Sequence, residues 1–144
     1  ATHLIKVASE AAVGLRPGLD VYGTDYPTPD GTCVRDYIHV TDLVRAHLDA
    51  LRYLRAGGES TVLNCGYGKG FSVLEVVDAV KRVSGVDFPV QTVDRRAGDP
   101  PALVAGVDRI HEVLGWEPQL NDLDTIVGHA LAWERHLKSK RDPA

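Results

Sequence analysis

The stretch Thr61-Val-Leu-Asn-Cys-Gly-Tyr-Gly-Lys-Gly-Phe-Ser-Val-Leu-Glu75 decides the fold class of this chain. Its first five residues are apolar enough for a short buried strand, and the three glycines that follow at alternate positions predict a tight turn. Ser72, with Glu75 three residues later, predicts a capping box and therefore a helix that runs to about Gly85. Strand, turn and helix thus follow one another within a short stretch of chain.

The same alternation of strands and helices continues on both sides of that stretch. On the N-terminal side the patterns predict a helix over 2–14, a strand over 20–23, a loop over 24–32, a strand over 34–40 and a helix over 41–54 with Thr41 as its N-cap. On the C-terminal side they predict a strand over 90–93, an extended piece over 102–105 and helices over 107–114 and 122–138. Strands that alternate with helices throughout predict an α/β fold.

Length and charge limit what the protein can do. The 144 residues suit one domain or the tail of a larger one, and the net charge of −4 offers no overall basic surface for nucleic acid. Apolar runs fall far short of the roughly 20 residues that cross a bilayer, and the N-terminus lacks a signal pattern, so we expect a soluble cytoplasmic protein. The chain contains no Met, which indicates that it begins inside a longer reading frame.

The cysteine and histidine spacings do not predict a metal site. Cys33 and Cys65 lie in no C-x-x-C motif, and we expect both to be reduced thiols. His111 is followed four residues later by Gly115, so the zinc-binding helix pattern is broken. We interpret His39 as a hydrogen-bonded structural residue, and His129 as an ordinary surface residue.

No catalytic set can be assembled from the motifs. The turn 66–70 reads G-x-G-x-G, which is not the G-x-G-x-x-G spacing of a dinucleotide-binding turn, so we favour a purely structural turn. There is no G-x-S-x-G motif, and none of the five tyrosines has a lysine four residues later. We therefore predict no catalytic residue and no cofactor-binding residue in this chain.

Two basic elements remain as candidates for ligand binding. Arg35 lies in the predicted strand 34–40, and Arg95-Arg96 lies in the polar turn that follows the predicted strand 90–93. The planar guanidinium fork suits phosphate, and loops at strand ends often carry binding residues. Solvated surface arginines are the alternative, which composition alone favours.

Four stretches together resemble one family, the UDP-glucose 4-epimerases of the extended short-chain dehydrogenase/reductase superfamily. They are 24–40 (TDYPTPDGTCVRDYIHV), 64–75 (NCGYGKGFSVLE), 95–99 (RRAGD) and 114–116 (LGW), and they occur in the family's order. The resemblance implies that residues 1–144 are the C-terminal UDP-sugar-binding portion of such an enzyme. The fold would be a small mixed α/β substrate domain, together with segments near 41–66 that pack on an absent Rossmann domain.

The resemblance also implies an activity, which is inversion at C4 of a UDP-hexose. Hydride passes to NAD held by the N-terminal half, the 4-keto sugar rotates, and hydride returns to its other face. This chain would grip UDP, with the N-terminal half and a second copy of the full enzyme as partners, and by itself it is predicted to be inactive. The alternatives are a non-catalytic nucleotide-sugar-binding or interaction module and, ranked lower, a nucleotide-sugar decarboxylase or dehydratase.

Seven residues match positions at which the family binds substrate. By resemblance, Arg35 and Arg96 hold the pyrophosphate, and Asp99 accepts from the ribose hydroxyls. Tyr22 packs on uracil, and the backbone of Asp20 lies beside the edge of the base. The backbone of Leu4 lies beside the diphosphate. Leu103 would line the hexose pocket, at a position where well-known members of the family have a tyrosine. In chain order these residues are Leu4, Asp20, Tyr22, Arg35, Arg96, Asp99 and Leu103.

Overall fold

The computed structural model describes residues 3–141, and within them the predicted α/β alternation is confirmed. The helices are α1 (Leu4–Ala12), α2 (Val40–Arg55), α3 (Val73–Ser84), α4 (Asp108–Leu114) and α5 (Leu123–Arg141). The strands are β1 (Leu19–Tyr22), β2 (Val34–Arg35), β3 (Phe71–Ser72), β4 (Val90–Val93) and β5 (Ala102–Leu103).

The strands form two small sheets that bring distant parts of the chain together. In the first sheet β1 pairs in parallel with β4, so that Tyr22 is opposite Val93. In the second sheet β2 is central, antiparallel to β3 and parallel to β5, and Arg35 is opposite both Phe71 and Leu103. The carboxyl ends of β1 and β4 therefore lie at the same edge.

The main hydrophobic core lies between α1, α3 and α5. Ala8, Val76, Val80 and Val127 are completely buried there. The helix α3 has the predicted capping box, in which the Ser72 hydroxyl accepts from the backbone N–H of Glu75 at 3.0 Å and the Glu75 carboxylate accepts from the backbone N–H of Ser72 at 2.7 Å. Burial of three helical faces against one another positions the strands that carry the site.

A second cluster joins α2 to α4 and to the segment before α5, and Asp42 is at its centre. This carboxylate is completely buried and accepts hydrogen bonds from the Tyr67 hydroxyl at 2.8 Å and from the backbone N–H groups of Leu120 and Gln119 at 2.8 and 3.1 Å. Burial alone would raise the pKa of Asp42, but these hydrogen bonds outweigh it and hold the pKa below its ordinary value. Trp116 donates its indole N–H to the Asp42 carbonyl oxygen at 3.1 Å.

Three local predictions are wrong or too long. The segment 61–65 is not a strand, because it pairs with no other strand among residues 3–141, and a strand needs a neighbour for its N–H and C=O groups. The predicted strand 34–40 ends at Arg35. Helix α2 begins at Val40, and its N-cap is His39 rather than Thr41: His39 Nδ1 accepts from the backbone N–H of Thr41 at 3.0 Å.

His39 also pairs with a residue that lies far away in the sequence. Its Nε2 is 2.9 Å from Nδ1 of His129 on α5. Because Nδ1 of His39 accepts the capping hydrogen bond, its Nε2 carries the proton and donates to His129. The structural role predicted for His39 is confirmed, whereas His129, which we expected to be an ordinary surface residue, has a specific partner.

This pair predicts a loss of stability in mild acid. Burial lowers the pKa of His39 below the ordinary 6.5, the neighbouring His129 lowers it further, and Asp42 opposes both effects. The unfolded chain therefore binds the proton first, so the free energy of unfolding should fall as pH decreases below about 6.5 and level off below the folded pKa. Urea unfolding of the full chain at about pH 7.5 and about pH 5.5 measures this loss.

The matched control is His39→Asn, which keeps an N-capping acceptor but does not titrate. We expect it to flatten the pH dependence between those two values, since the carboxylates titrate at lower pH. An undiminished loss of stability in the variant would assign the effect to other groups.

Three further features concern the described part of the chain. None of the helices in residues 3–141 is both long and apolar enough to cross a bilayer. The same residues contain no group of three or more His, Cys, Asp or Glu side chains that could hold a metal ion. Cys33, which is buried, and Cys65, which is half-buried, are both free thiols.

Candidate functional site

A cavity of about 340 Å³ lies between α1, β1 and the turn that follows β4. It is lined by Leu4, Val7, Arg16, Gly18, Leu19, Asp20, Tyr22, Cys33, Val73, Arg96 and Asp99. Five of the seven residues that we predicted to bind substrate are in this lining, and they come from three separate stretches of the sequence. We call it the β1 cavity.

The parallel pairing of β1 with β4 explains how these stretches meet. Tyr22 is at the carboxyl end of β1, opposite Val93, and the turn that carries Arg96 and Asp99 begins immediately after β4. The Arg96 guanidinium carbon lies 3.7 Å from the centroid of the Tyr22 ring, which is a cation–π contact. An aromatic face, a cation and a carboxylate are thus adjacent at one end of the cavity.

Arg35 is outside the cavity lining but is connected to it through Asp99. One terminal nitrogen of Arg35 is 3.4 Å from the Asp99 carboxylate, and the other donates to the Val34 carbonyl oxygen at 2.8 Å. Since Arg35 occupies the central strand β2, its backbone is fixed on both sides. The Arg35 guanidinium is therefore held beside the Asp99 carboxylate, which lines the same cavity as Arg96.

Leu103 is also outside the cavity lining. It is on β5, directly opposite Arg35 in the sheet register, and 61% of its surface is exposed. It therefore contributes nothing to the wall of the β1 cavity, and its side chain is accessible beside Arg35.

Arg95 and Arg96 are neighbours in the sequence but differ in their contacts. Arg95 donates through Nε to the Asp25 carboxylate at 2.6 Å, and its guanidinium carbon is 4.1 Å from the centroid of the Tyr26 ring. A hydrogen bond from Arg95 lowers the pKa of Asp25. Gly23 permits this packing, because a Cβ there would lie 2.6 Å from the Arg95 side chain. Arg95 thus anchors the turn, and Arg96 extends into the cavity.

The loop 24–32, as predicted, forms neither helix nor strand, and Asp30 ties it to the N-terminus of α3. The Asp30 carboxylate accepts from the backbone N–H and the hydroxyl of Thr32 at 2.9 and 2.8 Å, and it also accepts from the Ser72 hydroxyl. Gly31 has a φ of +80°, and a Cβ there would lie 2.0 Å from the Thr24 carbonyl oxygen. The loop therefore has one tight conformation beside the cavity.

The glycine turn 66–70 is organised around Asp36. That carboxylate accepts from the backbone N–H groups of Tyr67 and Gly68 at 3.0 Å, and from that of Ala105 at 3.3 Å. A Cβ at Gly66 would lie 2.5 Å from the same carboxylate. The amides of Tyr67 and Gly68 already donate to Asp36, which supports the prediction of a structural turn.

Sequence reasoning missed Arg16 as a cavity residue. Arg16 Nε donates to the Glu10 carboxylate at 2.5 Å, and its side chain forms part of the cavity wall. It stands in the turn between α1 and β1, where a solvated arginine is the ordinary expectation. The sequence feature that could have indicated Arg16 is its position: it precedes Pro17 just before the strand that carries Tyr22, the residue predicted to pack on uracil.

Comparisons with known proteins find relatives that match nearly the whole chain. The family model described as GDP-mannose 4,6 dehydratase matches residues 1–127. The UDP-glucose 4-epimerase of Azospirillum brasilense is 61% identical over 138 residues, which are 96% of this chain and 40% of that protein.

Two solved structures superpose closely on this chain. The UDP-Glc/GlcNAc 4-epimerase of Campylobacter jejuni has a TM-score of 0.86 and 52% identity, over 94% of this chain and 41% of its own. The UDP-glucose 4-epimerase of Stenotrophomonas maltophila, solved with bound NAD and formylated UDP-arabinopyranose, has a TM-score of 0.93 and 39% identity, over 97% of this chain and 41% of its own.

This chain spans about 40% of the length of these relatives. The resemblance drawn from the four sequence stretches is confirmed. Because the family model covers well over half of the residues, this chain belongs to the family described as GDP-mannose 4,6 dehydratase, and its fold is that of the C-terminal part of a UDP-glucose 4-epimerase.

Proposed function

We propose that this chain is the part of an NAD-dependent UDP-glucose/UDP-galactose 4-epimerase that grips UDP while the 4-keto hexose rotates. The observation that carries the proposal is the β1 cavity, which brings Tyr22, Arg96 and Asp99 together and places Arg35 beside Asp99. Strong contacts to the unreacting nucleotide with loose contacts to the sugar are what such a reaction requires.

The pyrophosphate is assigned to Arg96, Arg35 and the start of α1. Guanidinium groups form short, strong hydrogen bonds to phosphate oxygens. Leu4, the first residue of α1, lines the cavity; the N-cap His3 makes no side-chain capping bond, and the first turn carries no acidic residue. The positive end of this helix dipole therefore favours an anion beside the two arginines.

The base and the ribose are assigned to the other polar groups of the same cavity. The Tyr22 ring provides an aromatic face on which uracil stacks, and the Asp20 backbone is assigned to the edge of the base. The Asp99 carboxylate accepts hydrogen bonds from the ribose hydroxyls. Arg96 covers one face of the Tyr22 ring. A base that stacks on that face displaces the guanidinium toward the phosphates, where its charge is needed.

The residues of this chain do not fit NAD. Within residues 3–141, the glycine-rich turn 66–70 directs its N–H groups at Asp36, and a Cβ at Gly66 would already contact that carboxylate. We assign NAD to the N-terminal half of the enzyme. The hydride acceptor of the reaction then lies outside this chain.

One face of α2 is apolar and half-exposed, which supports a partner at this position. Val44, Leu48, Leu51 and Leu54 are each about half exposed, and Val62 in the following segment is 83% exposed. Apolar surface of this extent marks a contact site. We propose that segments near 41–66 pack on the NAD-binding half. The proposal that the full enzyme forms a homodimer rests on the family resemblance alone.

The test is a hybrid enzyme in which this chain replaces the matched 138-residue segment of the Azospirillum brasilense relative. We expect the hybrid to retain NAD and to interconvert UDP-glucose and UDP-galactose in a coupled assay. The chain by itself should bind UDP but should neither retain NAD nor epimerise. UDP binding without turnover in the folded, NAD-loaded hybrid would favour the non-catalytic module, and absence of UDP binding in both proteins would contradict the proposal.

The exposed Leu103 predicts a preference between sugars. A tyrosine at this position would fill space that an N-acetyl group at C2 needs, so Leu103→Tyr in the hybrid should lower kcat/KM for UDP-N-acetylglucosamine relative to UDP-glucose. Discrimination by pocket size is worth about 1–3 kcal/mol, so we expect a decrease of about tenfold in that ratio. Leu103→Met, which conserves volume, is the control, and an unchanged ratio in Leu103→Tyr would leave Leu103 with a packing role only.

A further inference from the structure

Arg16 lies in the wall of the β1 cavity but takes no part in the grip on the pyrophosphate described above. Strand β1 runs from Leu19 to Tyr22, which is about 10 Å at the usual rise per residue. Arg96 belongs to the turn beside the carboxyl end of this strand, whereas Arg16 precedes its amino end. The cavity therefore has a cationic group at each end of β1.

The Arg16 side chain is anchored by a chain of ion pairs. Its Nε donates to the Glu10 carboxylate at 2.5 Å, and that side chain is only 14% exposed. Lys6 lies 3.0 Å from the same Glu10 carboxylate and 2.6 Å from that of Glu134, which is almost completely buried on α5. Hydrogen bonds from Arg16 hold the pKa of Glu10 below its ordinary value, although burial opposes them.

The backbone around Arg16 is also fixed. The N–H of Leu15 donates to the Glu10 carbonyl oxygen at 2.8 Å, and Pro17 restricts φ at the next residue. Gly18 passes so close to Pro89 that a Cβ there would lie 2.6 Å from the Pro89 carbonyl oxygen. An arginine that is held at both its backbone and its Nε presents its remaining donors in a defined direction.

Those remaining donors are the two terminal nitrogens, and an arginine side chain has no acceptor. Uracil presents a carbonyl oxygen at position 4, whereas cytosine presents an amino group there, which is itself a donor. A base that stacks on Tyr22 with one edge along Asp20 directs its far edge toward the amino end of β1, where Arg16 stands. A donor opposite position 4 accepts uracil and rejects cytosine.

We propose that Arg16, anchored by Glu10, donates to the 4-carbonyl oxygen of uracil and makes this cavity select uridine over cytidine nucleotides. The assignment rests on the proposed UDP-binding function, and it adds a specificity-determining residue to that site. Replacing a donor–acceptor contact by two opposed donors costs more than losing a single hydrogen bond, because neither donor then has a partner.

The experiment measures the dissociation constants of UDP and CDP by calorimetry, with the full 144-residue chain and with the hybrid enzyme. Wild type should prefer UDP. Arg16→Met should weaken UDP binding on the order of tenfold, as expected for one charged hydrogen bond, and should strengthen CDP binding, because the donor that opposes the cytosine amino group is removed. Arg52→Met is the matched control, since Arg52 also pairs with a carboxylate, that of Asp49 at 2.7 Å, but its side chain is exposed on α2 outside the cavity.

Each result separates this inference from the proposed function. If Arg16→Met weakened the binding of UDP and CDP equally, Arg16 would act through its charge without selecting the base. If both dissociation constants stayed unchanged, Arg16 would make no contact with the nucleotide. Either result overturns the assignment of Arg16. If wild type binds neither nucleotide, the UDP-binding function itself fails. Arg16→Lys guards against misfolding: it keeps a cation near Glu10 but lacks the planar fork, so it should lose selectivity while circular dichroism stays native.

Discussion

Replacing Arg96 with alanine is expected to weaken UDP binding by about 10- to 100-fold, because a charge-assisted phosphate contact contributes about 1.5–3 kcal/mol. Arg96 lines the β1 cavity, and its guanidinium carbon lies 3.7 Å from the centroid of the Tyr22 ring. Arg35→Ala should behave alike, since Arg35 is held beside Asp99 at the same end of the cavity. Calorimetric titration of UDP into the hybrid enzyme measures both variants.

The matched control is the neighbouring arginine. Arg95→Lys keeps a cation beside Asp25 and leaves the cavity lining intact, so UDP binding should remain close to that of wild type. If Arg96→Ala bound UDP normally and still lost turnover, the role of Arg96 as a nucleotide ligand would be wrong. A direct part in the chemistry would then have to be assigned to it.

Replacing Asp42 with alanine is expected to lower the free energy of unfolding by about 3–5 kcal/mol, the range for breaking a buried polar network. Three donors would lose their acceptor: the Tyr67 hydroxyl and the backbone N–H groups of Gln119 and Leu120. The Asp42 side chain is completely buried, so its loss leaves a gap inside the protein at the point where these three donors converge. Urea unfolding of the full chain measures the loss.

Asp49→Ala, on the same helix α2 but with an exposed ion pair to Arg52, is the control and should change stability little. Asp42→Asn keeps one carbonyl acceptor and should fall between wild type and Asp42→Ala. Equal stability of Asp42→Ala and Asp49→Ala would mean that the buried carboxylate contributes nothing beyond its cost of desolvation.

Local signals in the sequence predicted most of the helices and the longer strands. Ser72 and Glu75 form the predicted capping box, and the predicted stop at Gly85 is observed with a φ of 72°. The segment 61–65 misled the prediction because strand propensity says nothing about whether a neighbouring strand exists. The start of α2 was misplaced because its cap is a histidine, a side chain that is not among the usual capping residues.

Local reasoning offered only Arg35 and the pair Arg95-Arg96 as ligand-binding candidates, and the other candidate residues came from the family resemblance. Tyr22 meets Arg96 and Asp99 because β1 pairs with β4. These two strands are far apart in the sequence, and no local pattern reveals that they pair. Arg16 matched no motif, and only its place in the cavity wall distinguishes it from a solvated turn residue. The His39–His129 contact joins residues 90 positions apart, which periodicity cannot detect.

The two arginines that we propose to bind the pyrophosphate have unequal freedom to move. Arg35 has backbone partners on both sides in the central strand β2, whereas Arg96 belongs to a turn whose nearest anchor is Arg95. A ligand arriving at the cavity therefore meets one guanidinium whose position is already set and another that must close over it. We expect the opening of the turn to govern how long a nucleotide stays bound. Arg95→Ala, which removes the anchor that Arg95→Lys keeps, should therefore shorten the residence time, while the rate of arrival, set by Arg35 and the field at α1, stays nearly constant.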